Sequence, residues 1–69
     1  MNMNPVSSSN VDSIGYDAVA KTMAVKFHEG GTYHYHDVSP TTYEALKGAK
    51  SIGAYLHRHV KPRYRATRV

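Results

Sequence analysis

The sequence predicts a single α+β domain: a three-stranded antiparallel β-meander followed by two short helices packed on one of its faces. Three observations lead there. Apolar residues alternate with period two through two segments divided by Gly30-Gly31. Beyond them lie two stretches whose apolar residues recur at helical spacing, each preceded by a serine suited to capping. Strands that precede helices, rather than alternating with them, build an antiparallel sheet covered on one side. A length of 69 residues allows one domain.

Residues 1–5 are polar apart from methionine and proline and are expected to form a flexible N-terminus. The domain is expected over residues 6–62, and a basic C-terminal arm over 63–69. Val11 to Tyr16 reads as the first strand. Ile14 and Tyr16 share a face, whereas Val11 falls out of phase. Gly15 marks a bulge or a close backbone approach. Asp17 to Ala20 turns the chain. Thr22 to Phe27 is the cleanest strand, with Met23, Val25 and Phe27 on one face and Ala24 and Lys26 on the other. Thr32 to His36 alternates again, with Tyr33 and Tyr35 opposite His34 and His36.

The loop between these two strands decides where the tyrosines go. A three-residue loop over His28-Glu29-Gly30 pairs Val25 with Tyr33 and Met23 with Tyr35, and both rings join the apolar face. A two-residue Gly30-Gly31 turn shifts the pairing by one and sends them to the other side. The first register is preferred, because it gathers the aromatic rings with Val25 and Met23 and leaves His34 and His36 exposed.

Ser39-Pro40 then reads as N-cap and first helical residue. Ser51 caps a second helix, on which Ile52, Tyr55, Leu56 and Val60 share a side, and Pro62 ends it. The predicted core is Ile14, Tyr16, Met23, Val25, Phe27, Val38, Leu46, Leu56 and Val60.

Charge is spread unevenly. Residues 1–44 hold Lys21 and Lys26 against Asp12, Asp17, Glu29, Asp37 and Glu44, a net of −3. Residues 45–69 hold Lys47, Lys50, Arg58, Lys61, Arg63, Arg65 and Arg68 without an acid, a net of +7. A field of one sign attracts polyanions: RNA, DNA or an acidic protein surface. Arg58 and Lys61 stand at i, i+3 on the second helix and are expected to share a face. Arg63, Arg65 and Arg68 follow on the arm, where a guanidinium fork suits phosphate and carboxylate alike. Tyr64, set among them, is positioned to stack on an unpaired base. Tyr33, Tyr35 and Tyr43 read instead as the margin of a thin core.

Other chemistries find little support. The chain has no cysteine, so no disulfide, thiolate metal site or thiol nucleophile exists. His34 and His36 can reach one ion, but zinc takes three or four placed ligands, and no metal or other cofactor is expected. Ser7-Ser8-Ser9 has neither a nucleophile elbow nor a base at a telling spacing, and Gly30-Gly31 is a turn without the phosphate-loop pattern. The chain is therefore expected not to be an enzyme. No apolar run approaches the roughly 18 residues of a membrane span, and no signal peptide is seen, so a cytoplasmic protein without membrane contact is expected; the sequence leaves the oligomeric state open, with a monomer favoured.

In sequence order, Val6-Ser7-Ser8-Ser9, Ile14-Gly15-Tyr16-Asp17, Val25-Lys26-Phe27, Gly30, Tyr33-His34-Tyr35, Val38, Pro40, Tyr43, Leu46, Ala49, Ser51-Ile52-Gly53, Tyr55-Leu56, Val60-Lys61 and Tyr64 form a pattern that resembles the KTSC domain. The resemblance spans roughly residues 6 to 64. It implies a module found at the C-terminal end of some lysyl-tRNA synthetases and as free-standing bacterial and phage proteins, with RNA binding the usual suggestion and no catalytic residues. Two departures stand out: Ser39 separates Val38 from Pro40, which the family usually joins, and Leu56-His57 stands where Phe-Asn is common. Together the readings lead to a noncatalytic binding module, with RNA the first expected partner, bound by Arg58, Lys61, Arg63, Tyr64, Arg65 and Arg68. A phage-type adaptor or inhibitor docking on an acidic host surface such as RNA polymerase is the alternative.

Overall fold

Five antiparallel strands in the order β1-β2-β3-β4-β5 frame the computed structural model, which describes all residues 1–69. They are β1 (Met3–Pro5), β2 (Val11–Asp17), β3 (Thr22–Phe27), β4 (Thr32–Tyr35) and β5 (Ala66–Arg68). Helix α1 (Pro40–Lys47) and helix α2 (Ile52–Tyr55) follow β4, and α2 runs on as a π-helical turn over Leu56–Val60.

The α+β class and the strand-then-helix order hold, but the sheet has five strands where three were expected. Both additions come from segments assigned to the termini. Residues 3–5, expected to be flexible, pair with β2 from Met3↔Gly15 to Pro5↔Ser13. Residues 66–68, expected in a free arm, pair with β4 from Tyr33↔Arg68 to Tyr35↔Ala66. Three-residue strands carry no periodicity of their own. They form because β2 and β4 would otherwise present bare edges of unpaired N–H and C=O groups.

The central hairpin takes the preferred register, with Val25 opposite Tyr33 and Met23 opposite Tyr35. Phe27 N–H donates to Gly31 O at 3.0 Å and closes the His28-Glu29-Gly30 loop. Gly30 and Gly31 have φ of +107° and +88°, conformations that a β-carbon opposes.

Val11 is fully buried although it stands three residues before Ile14. A bulge reconciles them. Val11 pairs with Phe27 and Ser13 with Lys26, so Asp12 is the extra residue and both apolar side chains reach the helix-covered face. Gly15 is instead the point of close approach: a β-carbon there would lie 2.6 Å from Asn2 O and 2.8 Å from Met3 Sδ.

The core joins this sheet face to the helices through Val11, Ile14, Met23, Val25, Tyr35, Val38, Tyr43, Leu46, Ile52, Leu56 and Val60. Tyr16 and Phe27, predicted for the core, are partly buried and pack against it. Tyr16 stacks on Tyr43 with ring centroids 5.0 Å apart, and its hydroxyl donates to Val38 O. Ser39 caps α1, its hydroxyl accepting from Thr42 N–H at 3.2 Å. The residue inserted between Val38 and Pro40 is thus the helix cap. Ser51 does the same for α2, accepting from Ala54 N–H at 3.2 Å.

His34 and His36 are half-buried rather than exposed. β5 lies beside them, Thr67 standing opposite His34 and its hydroxyl 2.8 Å from His36 Nε2. No helix is long and apolar enough to cross a membrane.

Candidate functional site

The chain from Val60 onwards builds the site. Lys61 N–H donates to Leu56 O at 2.8 Å, the i→i−5 bond of a π turn. Arg63 N–H and Tyr64 N–H both return to Val60 O, at 3.1 and 3.0 Å. The chain then enters β5, where His36 N–H donates to Arg65 O at 2.9 Å and Val69 N–H to Thr32 O at 2.9 Å. The basic segment is therefore a turn and an edge strand pinned along β4, not a loose arm.

Between this turn and the β3–β4 hairpin lies an open cleft of about 430 Å³, lined by Phe27, Glu29, Gly30, Tyr33, Tyr35, Lys61, Tyr64 and Ala66. Tyr35 is the most deeply buried of these, at 3% exposure. Phe27 and Tyr33 meet edge to face at 5.9 Å. The Lys61 ammonium stands 5.5 Å above the Phe27 ring, a favourable placement of cation on π face. Tyr64 is half-buried, its hydroxyl 3.2 Å from Thr42 Oγ1. Burial pushes the Tyr35 hydroxyl above its ordinary pKa, and the nearby Tyr33 adds to the shift.

The predicted cations do not all gather at this cleft. Lys61 lines it. Arg68 stands across the sheet from Tyr33, and its guanidinium lies over Gly31, where a β-carbon would be 3.4 Å from Nε. Arg63 precedes Tyr64 in the turn, and Arg65 leads into β5. Arg58 is elsewhere. It lines a separate shallow depression with Ala49, Lys50, Ser51, Ala54, Tyr55 and His59. The shared face expected for Arg58 and Lys61 assumed α-helical winding, and the wider π turn from Leu56 rotates the two apart.

The chain has two ion pairs, His28 with Asp12 at 3.6 Å and Lys47 with Glu44 at 3.5 Å. None of Arg58, Lys61, Arg63, Arg65 or Arg68 belongs to either, and all five are exposed. Glu29, the one acid of the cleft rim, neutralises none of them. No group of three His, Cys, Asp or Glu side chains comes together. What the site offers is fixed positive charge beside aromatic faces.

Sequence reasoning named Lys61, Tyr64 and Arg68 but assigned Phe27, Tyr33 and Tyr35 to the core and its margin. Their strand register was readable. The wall facing them was not, because it depends on the chain returning as β5. The β-branched Thr67 and Val69 were the faint signal for that strand.

Residues 7–64 match the family described as the KTSC domain. This chain belongs to that family. A protein of Tsukamurella paurometabola is 41% identical over 64 residues, covering 93% of this chain and 96% of its own. The crystal structure of a KTSC domain protein from Yersinia pestis superposes with a TM-score of 0.96 at 31% identity, covering 99% of this chain and 96% of that one. A lysine–tRNA ligase of Trichormus variabilis is 32% identical over 50 residues, 72% of this chain but 9% of the ligase. The chain thus matches one relative over nearly its whole length and the ligase over a small part of its own.

Proposed function

We propose that this chain is a noncatalytic binding domain that takes single-stranded RNA along the turn after the second helix and β5. One observation carries the reading: exposed cations without carboxylate partners follow one another along a segment that lines an open aromatic cleft through Lys61, Tyr64 and Ala66. A cation already satisfied by a carboxylate gains little from a phosphate; these have that interaction still to make. Lys61, Arg63, Arg65 and Arg68 belong to one short segment, and Arg58 extends the field away from the cleft. The pinned backbone spares a ligand much of the ordering cost that a free arm imposes. The match to lysine–tRNA ligases, whose substrate is an RNA, supports the same class of partner. The lack of cysteine fits a cytoplasmic setting.

The test is a titration of labelled single-stranded RNA at two salt concentrations. Neutralised phosphates release counterions, so log K falls against log salt with a slope of about −0.7 per contact and at most about −3.5 for five cations. Absence of binding at tens of micromolar RNA in low salt overturns the proposal. A specific protein recovered from nuclease-treated lysate would then favour an acidic protein surface as the partner of the same cations.

A further inference from the structure

A polyanion needs only cations. Nothing in backbone binding calls for an aromatic hollow behind them, yet Phe27, Tyr33, Tyr35 and Tyr64 surround one of about 430 Å³. That volume falls within the range of about 300–1,000 Å³ typical of small-molecule sites. Phe27, Tyr33 and Tyr64 are half-buried and line the open cleft. Every nucleobase has a π face able to stack on such rings. In a duplex both faces are already covered by neighbouring bases, which restricts the fit to an unpaired strand.

The charges are arranged to match. Lys61 holds its ammonium 5.5 Å from the Phe27 ring centre, at the cleft itself. Arg68 lies against Gly31, directly after Gly30, which also lines the cleft. A base in the cleft would have two cations near it, Lys61 by Phe27 and Arg68 by Gly31, to meet the phosphates flanking that nucleotide, with Glu29 as the one carboxylate of the lining.

We infer that the cleft holds one unstacked nucleobase of a single strand, with Lys61 and Arg68 taking the adjoining phosphates. This rests on the RNA reading and adds to it that a base, not the backbone alone, is bound.

The test compares, on the unaltered chain, a labelled ten-nucleotide oligoadenylate with a strand of equal length and charge whose sugars carry no bases. The oligoadenylate is expected to bind about tenfold or more tightly. Tyr64→Leu should remove much of that advantage while leaving the abasic strand little changed, and Tyr64→Phe, which keeps the ring, should retain it. Equal binding of the two strands overturns the inference and leaves backbone recognition standing. Failure of both strands to bind overturns the RNA reading and this inference together. The strand comparison needs no substitution, so a variant that fails to fold does not weaken it.

Discussion

Tyr35 brings together burial, charge and position in one side chain. Its ring lines the cleft while it sits in the core cluster, and its hydroxyl is held above the ordinary value of 10.0 by burial first and by Tyr33 second. A phenol whose folded-state pKa is raised keeps its proton longer in the folded chain than in the unfolded one. The stability it contributes is therefore complete below pH about 10 and drains away as pH rises through the folded value. Tyr35→Phe has no such proton to lose. Urea unfolding followed from pH about 9 to about 11 should show the unaltered chain losing more stability than this variant, and parallel losses would contradict the assignment. Glu29 acts at the same scale with the opposite sign, as a carboxylate on a rim that otherwise attracts phosphate.

At the scale of elements, the two edge strands complete the fold. β1 sits over Gly15 so closely that a β-carbon would meet Asn2 O at 2.6 Å, a contact with backbone that no rotamer change relieves. Gly15→Ala should destabilise the chain by about 1–3 kcal/mol, the usual cost of overpacking. The damage should be confined to β1. Hydrogen exchange should show the Val6 amide, which donates to Asp12 O at 3.1 Å, losing protection while the β3–β4 ladder keeps it. Unchanged exchange at Val6 would mean that β1 does not depend on that approach. β5 plays the matching part on the other edge. It covers β4, engages His36 through Thr67, and fixes Arg68 beside Tyr33. The π turn before it is the third such device, because its winding turns Lys61 towards Phe27 and leaves Arg58 behind.

Over the whole molecule, charge is divided along the chain. Its acids lie in residues 1–44, and the unpaired cations of residues 58–68 follow the second helix. Net charge alone would rank Arg58 and Arg68 equally, whereas the fold separates them: Arg68 adjoins the cleft and Arg58 lines a different depression. Arg68→Ala should therefore weaken RNA binding several-fold more than Arg58→Ala, with the difference shrinking at high salt as screening sets in. Anisotropy titrations of both variants check this, and equal losses would mean that charge count, not position, governs binding.

The sequence by itself determined the class of fold and both helix caps, because each follows from neighbours in the chain, and it favoured one of two hairpin registers, which the β3–β4 pairing then decided. Period-two alternation through Met23, Val25 and Phe27, the glycines of the turn, and Ser39 and Ser51 before their helices act over a few residues. It also determined how much positive charge the last third carries. Tertiary structure decided where that charge stands. The first and last strands exist only as partners of longer ones, a bulge at Asp12 brings Val11 inward, and the cleft forms only when Tyr64 and Ala66 come opposite Phe27 and Tyr33. The contacts of β5 and of the cleft join residues more than thirty positions apart, and those of β1 and the bulge about eight to sixteen. Local propensity carries no information across such a distance, whereas the unpaired hydrogen-bonding groups of an open sheet edge do.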